Sequence, residues 1–369
     1  MREELQRLLS ESISVEPKVC LNYLRKDIGC EQCVEHCPAE AISFQSRIPV
    51  IQHSKCVNCG ACVSACPVLA IDHVQKPYHE LQKQIEEHRE ARITCQRMES
   101  YQKGIKVPCY LYLDVPILLT YGKGKERLNF TIEPCQNCEY AFLNPKQHFL
   151  KLQEKINLYQ IPLKIEVTEE PLTMEQKDEI VGGITRRDLL KKFSIKNLRE
   201  VLLPEEEEEK ENPKTISLTN EEKPLYKRGI FNQIVIQKYI DLGYTNRTLP
   251  EAEFIKIHID DSCVGCNICE SLCPTQALRW ENDENESRLV FSAVECIACK
   301  NCNACPETSI QFQAITFEEY VQQKTNRLKS FSRKICTECG DEFRTKADEN
   351  VCTFCSAKKE QDPLRFFQS

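Results

Sequence analysis

The chain has 369 residues, with 49 Lys and Arg against 56 Asp and Glu, and its net charge of −7 argues against a general nucleic-acid binder, which needs a basic face. Only 11 Gly are present, with neither G-x-G-x-x-G nor G-x4-G-K-[ST], so no nucleotide or flavin site announces itself. Cysteine is the outlier: there are 24, and 20 of them fall into five tight groups of four, unlike the scattered thiols of a disulfide framework.

In chain order, the opening MREELQRLLSES is charged and amphipathic rather than a signal peptide, and no apolar run approaches the roughly 18 residues of a spanning helix. A reducing cytoplasm is the expected compartment, with the thiols serving as metal ligands. Residues 17–75 form a first unit. It holds Cys20, then Cys30, Cys33 and Cys37-Pro38, an extended run IPVIQH at 48–53, and Cys56, Cys59, Cys62 and Cys66-Pro67 in the order C-x2-C-x2-C-x3-C-P. Residues 92–170 alternate short β-like runs (RITC, KVPCYLYL, LNFTIE, LKIEV) with helical stretches such as DVPILLTYG, the pattern of a small α/β domain. Cys95, Cys109 and Cys135 each lie at the end of such a run, with Cys138 close behind. If the strands are parallel, the four sulfurs gather at the carboxyl edge of one sheet as a candidate further metal site. The alternative is four small buried hydrophobes.

Residues 185–203 read as a basic amphipathic helix, with Leu190, Phe193, Leu198, Val201 and Leu202 near one face. Its TRRDLLK resembles a twin-arginine export motif, but Lys192 follows where an apolar run should, so a surface helix is expected. Residues 204–224 are acidic and Pro-bounded, the composition of a disordered linker that would let the C-terminal part of the chain swing relative to the first unit. A second unit, 254–316, has strands FIKIHI and RLVFS around Cys263, Cys266, Cys269 and Cys273-Pro274, which repeat the regular spacing. Cys296, Cys299, Cys302 and Cys305-Pro306 then run one residue short before the last Cys. CPAEAISF, CPVLAIDH, CPTQALRW and CPETSIQF make a fourfold repeat, and Pro after Cys predicts a one-to-two-turn helix running into a strand. Residues 334–357 end the series with two C-x2-C pairs, Cys336/Cys339 and Cys352/Cys355, separated by twelve residues.

The two regular motifs resemble the bacterial dicluster ferredoxins. In that family the fourth Cys of each motif ligates the other cluster of the pair. The resemblance therefore implies four [4Fe–4S] clusters, on Cys20/Cys30/Cys33/Cys66, Cys56/Cys59/Cys62/Cys37, Cys263/Cys266/Cys269/Cys305 and Cys296/Cys299/Cys302/Cys273. The terminal pairs look like a zinc ribbon closing a tetrahedral S4 site, with rubredoxin-like iron as the competing ion. VPCYLYLD and EPCQNC are similar to the delta subunit of methyl-viologen-reducing hydrogenases, which implies a [2Fe–2S] cluster in the middle domain.

The fold class expected is α+β: two ferredoxin-like dicluster modules flanking a small α/β domain, plus the C-terminal ribbon. The function expected is single-electron transfer between redox partners by a cytoplasmic iron–sulfur protein. A wire subunit of a larger oxidoreductase, of formate dehydrogenase, hydrogenase or heterodisulfide-reductase type, is one alternative. A non-redox sensing or assembly scaffold is another. No catalytic residue or substrate site is visible, so a carrier or subunit is expected rather than a stand-alone enzyme. Redox proteins are the expected partners, without nucleic acid or a membrane span, and membrane contact would be peripheral at most. The seven His lack ligand spacing, and Trp280 and Phe312 read as packing residues.

Overall fold

The computed structural model describes residues 12–24, 29–98, 104–170, 218–219, 222–244, 246–322, 325–346 and 349–360. The basic segment 185–203 lies outside them, as does the acidic segment 204–224 apart from 218–219 and 222–224.

The first unit runs β1 (Ile13–Val15), α1 (Leu21–Leu24), α2 (Gln32–Glu35), β2 (Ile42–Gln45), β3 (Ile48–Ile51), α3 (Ala61–Ala65) and β4 (Ile71–His73). Its outer strands pair, β1 antiparallel to β4, as do its inner strands β2 and β3. The unit therefore opens at Ile13, ahead of residue 17. The middle unit comprises α4 (Tyr78–Glu87), β5 (Ile93–Cys95), β6 (Ile105–Val107), α5 (Val115–Tyr121), β7 (Arg127–Thr131), α6 (Pro145–Leu158) and β8 (Lys164–Thr168). Its strands are parallel, the condition set for gathering the middle cysteines at one sheet edge, but they pair as two separate ribbons, β5 with β6 and β7 with β8. The single sheet anticipated from the pattern is thus two.

A long helix, α7 (Lys223–Asp241), precedes the second cysteine-rich unit, which has β9 (Lys256–Ile259), α8 (Ile268–Ser271), β10 (Leu278–Asn282), β11 (Glu286–Phe291) and β12 (Ile310–Gln313). Its pairing repeats that of the first unit: outer β9 with β12, inner β10 with β11. After α9 (Phe317–Gln322) come β13 (Asn326–Ile335), β14 (Glu342–Thr345) and α10 (Thr353–Glu360). Strand β13 pairs with both β11 and β14, so the terminal C-x2-C unit extends a four-stranded sheet of the second unit.

The fourfold Cys-Pro repeat corrects one expectation. No helix follows any of the four prolines; short helices precede three of the cysteines closely, and a 3₁₀ turn at Asn301–Ala304 precedes Cys305. Proline disfavours helical backbone in the residue before it, and Cys66 and Cys305 accordingly turn extended, with ψ of 115° and 118°. Each repeat then passes through a left-handed residue (Glu40, Leu69, Gln276, Thr308) and enters its strand at Ile42, Ile71, Leu278 or Ile310.

Helix α7 joins the units. Its N-terminus is closed reciprocally: the Thr219 N–H donates to the Glu222 carboxylate (2.8 Å) and the Glu222 N–H to the Thr219 hydroxyl (3.3 Å). Its buried residues are Pro224, Lys227, Arg228, Phe231, Asn232, Val235 and Tyr239. Lys227 donates to the Val63 carbonyl of the first unit (2.6 Å), the Tyr239 hydroxyl to the Tyr159 carbonyl of the middle unit (2.6 Å), and the Asn232 amide to the Val294 carbonyl of the second (2.7 Å). One apolar core containing Ile71, Tyr159, Phe231 and Phe291 runs through all of them. A second unit free to swing is not what these contacts describe: the residues after Glu222 are helix, packed on every unit.

Candidate metal centres

Four cavities are lined by sixteen of the cysteines between them. One is lined by Cys20, Cys30, Cys33 and Cys66, and its neighbour by Cys37, Cys56, Cys59 and Cys62. In the second unit one is lined by Cys273, Cys296, Cys299 and Cys302, and the other by Cys263, Cys266, Cys269 and Cys305. In every case the Cys before Pro lines the cavity of the other motif.

Local backbone chemistry aims these thiols. Gly60, at φ +77°, opens α3 where the Tyr112 ring leaves no room for a side chain, and this turn presents Cys59 and Cys62 inward. Backbone N–H groups already point at sulfur: Ala41 donates to Cys37 Sγ (3.3 Å), Leu278 to Cys273 Sγ (3.4 Å) and Ala298 to Cys296 Sγ (3.4 Å). Such bonds to ligand sulfurs are one lever on cluster potential.

The two irregular motifs are accommodated by different devices. Nine residues separate Cys20 from Cys30, and buried Asn22 clasps their ends: its Nδ2 donates to the Cys30 carbonyl (2.7 Å) and its Oδ1 accepts from the Cys30 N–H. Nothing in the spacing signals Asn22. The shortened Cys302–Cys305 interval lies in a 3₁₀ turn, where the Cys305 N–H bonds to the Cys302 carbonyl (3.3 Å). A 3₁₀ turn takes three residues rather than 3.6, so Cys305 still reaches the facing cavity.

The thiols are held in a chemically demanding state. Burial, followed by the neighbouring sulfurs Cys66, Cys30 and Cys20, pushes Cys33 up to about 12, and burial with Cys266 and Cys263 does the same to Cys269. Burial also raises Cys62 well above the ordinary thiol value, with Cys59, Cys56 and Cys37 adding to it. Four buried thiols around one cavity ionise together only against positive charge, so the donor sets fit a thiolate-ligated metal cluster.

The two cysteine-rich units touch. Cys30, Ile297 and Cys299 pack against the small cluster of Val19, Cys20, Leu21, Cys66, Val68 and Ala70. The cavity of Cys20/Cys30/Cys33/Cys66 thus abuts that of Cys273/Cys296/Cys299/Cys302.

Cys336, Cys339, Cys352 and Cys355 have all four Sγ within 4.8 Å of one another, with Cys339 and Cys352 at 3.9 Å, a geometry able to hold one metal ion. The Cys352 N–H donates to Cys336 Sγ (3.3 Å), which lowers that thiol. Arg344 docks this unit on the second module: its guanidinium lies 4.1 Å from the Trp280 ring centroid and hydrogen-bonds Asn267.

The middle cysteines are placed differently. Cys95 and Cys109 are buried, the Cys95 thiol donates to the Pro108 carbonyl (3.4 Å), and among the described residues the four do not form a group as compact as the terminal one. Cys109 does pack with Cys59, Ala61, Leu111 and Leu143, which sets this cluster beside the Cys37/Cys56/Cys59/Cys62 cavity.

A family model described as a 4Fe-4S dicluster domain matches residues 28–70, and one described as a 4Fe-4S binding domain matches residues 257–279. No curated protein matches the sequence. The chain therefore carries two 4Fe-4S ferredoxin-type domains, which support a multi-cluster, ferredoxin-like protein. The matched ranges take in Cys30–Cys66 and Cys263–Cys273, leaving Cys20 and Cys296–Cys305 to the geometry above. Among the described residues no helix is long and apolar enough to cross a membrane.

Proposed function

We propose that this chain is an electron wire with four [4Fe–4S] sites in a single row. The order is Cys37/Cys56/Cys59/Cys62, then Cys20/Cys30/Cys33/Cys66, then Cys273/Cys296/Cys299/Cys302, then Cys263/Cys266/Cys269/Cys305. The observation that carries it is the seating of Ile297 and Cys299 of one unit against Cys20, Cys30 and Cys66 of the other, which makes two dicluster modules continuous. When bound, such clusters supply reversible one-electron chemistry at potentials tuned by burial and hydrogen bonding.

The protein's part is to hold and insulate. Buried Val63, Leu69, Ile71 and Leu278 keep water from the inner sulfurs, and helix α7 fixes the spacing between modules. Cys336, Cys339, Cys352 and Cys355 hold a structural zinc ion that stiffens the outer end of the row. The middle cysteines beside Cys59 suit a partner contact at the other end. Redox proteins are the partners, in a reducing compartment such as the cytoplasm, whether the chain acts alone or within an oxidoreductase.

Anaerobic purification with iron, sulfide and zinc counting, followed by EPR during a reductive titration, tests this. About 16 irons and one zinc per chain are expected, with magnetic interaction spreading across both modules on full reduction. An iron count near eight, or two magnetically isolated pairs, would refute the row.

A further inference from the structure

Lys227 and Arg228 are consecutive on α7, both are buried, and they meet different fates. The Lys227 ammonium is matched by Asp114 (2.9 Å). Arg228 is 7% exposed, and among the described residues no carboxylate lies within 4.0 Å of its guanidinium. Its Nε and Nη2 are buried without a hydrogen-bond partner. It sits among rings, with Cζ 4.3 Å from the centroid of Phe254, 5.8 Å from Tyr320 and 5.9 Å from Phe231. Burying an unpaired cation is costly, so a counter-charge is called for.

The surroundings say where it lies. One turn along, Asn232 binds the Val294 carbonyl (2.7 Å) and accepts from the Tyr320 hydroxyl (2.6 Å), which fixes this face of α7 against the segment that enters Cys296. Phe254, the ring nearest the guanidinium, is followed directly by Ile255, which lines the cavity of Cys273, Cys296, Cys299 and Cys302.

We propose that Arg228 is the built-in counter-ion of the anionic centre held by Cys273, Cys296, Cys299 and Cys302, and makes that centre the more readily reduced of the second module's two. The inference rests on the four-cluster reading. Reduction adds one electron from the titrant and makes the centre more negative, while Arg228 keeps its proton throughout. A fixed cation in a poorly polarisable site stabilises the reduced form more than the oxidised one and raises the midpoint. The other cavity of this module has Arg344 near Cys266, but that guanidinium is half-buried and better screened.

The test is an EPR-monitored potentiometric titration of the full chain, anaerobically purified, as wild type, Arg228→Met and Arg228→Lys. Arg228→Met should move one midpoint to more negative potential and leave the other three in place, and Arg228→Lys should hold that midpoint near the wild-type position. A Met variant with all midpoints unmoved, or all moved alike, overturns the proposal. Should the neutral variant fail to load iron, the wild type decides. Cys299→Ser identifies the signal of this centre, which must titrate above the one perturbed by Cys263→Ser; the reverse order overturns the proposal. A wild-type iron content short of four clusters refutes the underlying reading instead, before any Arg228 variant is titrated.

Discussion

Lys227 Nζ lies 2.9 Å from Asp114 Oδ2, and this ion pair bridges α7 and the start of α5 in the interior of the protein. The carboxylate also accepts the single Tyr78 O–H, shared between its two oxygens (2.8 and 2.9 Å), and caps α5 through the Ile117 N–H (3.1 Å). The ammonium also serves the Val63 and Ser64 carbonyls, at the end of the helix that carries Cys62, and rests 4.4 Å from the Tyr78 ring centroid. Lys227→Met would leave a buried carboxylate and two buried carbonyls without their cation. We expect a loss of about 3–5 kcal/mol in anaerobic urea unfolding, partly recovered in the Lys227→Met/Asp114→Asn double variant. An unchanged midpoint in the single variant would show the pair to be idle.

Gly60 and Gly340 share a backbone conformation and differ in surroundings, which separates strain from crowding. Both have left-handed φ, +77° and +76°. A Cβ on Gly60 would meet Tyr112 Cδ2 at 2.2 Å, whereas one on Gly340 would meet nothing within 4 Å. Gly340→Ala should cost about 1–2 kcal/mol, the left-handed penalty alone. Gly60→Ala adds about 1–3 kcal/mol of overpacking and pushes on the loop between Cys59 and Cys62. Iron analysis should therefore find a shortfall in Gly60→Ala and full content in Gly340→Ala.

The cysteine spacing made the first and second units legible, because three cysteines of each candidate set come from one motif and the fourth is marked by the Pro that follows it in the neighbouring motif. Helix α7 was not. Its inward positions recur at helical spacing, but three of the seven are Lys227, Arg228 and Asn232, so the apolar stripe that normally betrays a helix is broken by polar groups whose partners lie far away in sequence. Asn22 is hidden for the same reason, since its task is to close a loop around Cys30 and no periodicity marks it. The middle unit was legible as alternating strand and helix. Its division into two ribbons was not, because three-residue strands such as Ile93–Cys95 do not encode their neighbours.

His73 predicts an acid dependence. Its ring is buried at the end of β4, Nδ1 accepts from the Lys76 N–H (3.2 Å), and Nε2 is buried without a partner. Burial, and secondarily Lys76, lowers its pKa from 6.5 to about 4. The unfolded chain therefore binds the proton more tightly. Stability from this residue is intact above pH 6.5 and falls progressively as the pH drops through 4, by about 3 kcal/mol in all. Urea unfolding followed between those limits should show a shallower acid slope in His73→Gln than in the wild type. Parallel slopes would mean that the ring is already protonated in the fold.

The terminal cysteine group predicts a separable response to metal removal. Its four sulfurs stand on the Cys336–Gly340 turn, beside β14, and at the head of α10, while β13 anchors the unit in the sheet of the second module. Cys339 is exposed, whereas the sulfurs of the four large cavities are buried or half-buried. A chelator should therefore reach this site first. Anaerobic treatment with a zinc chelator is expected to release about one zinc per chain while iron and sulfide stay constant, and Cys352→Ser should purify without zinc but with full iron. Losing the ion frees Arg344 and Lys346 from the segment 261–267, where Arg344 holds Asn267 and Lys346 the Asp261 carbonyl. The outermost centre should then become more solvent-accessible, read as faster loss of its EPR signal in air, while the signals of the inner centres decay at their original rates. Uniform decay of all signals after zinc removal would mean that the terminal unit stabilises the whole chain rather than shielding one end.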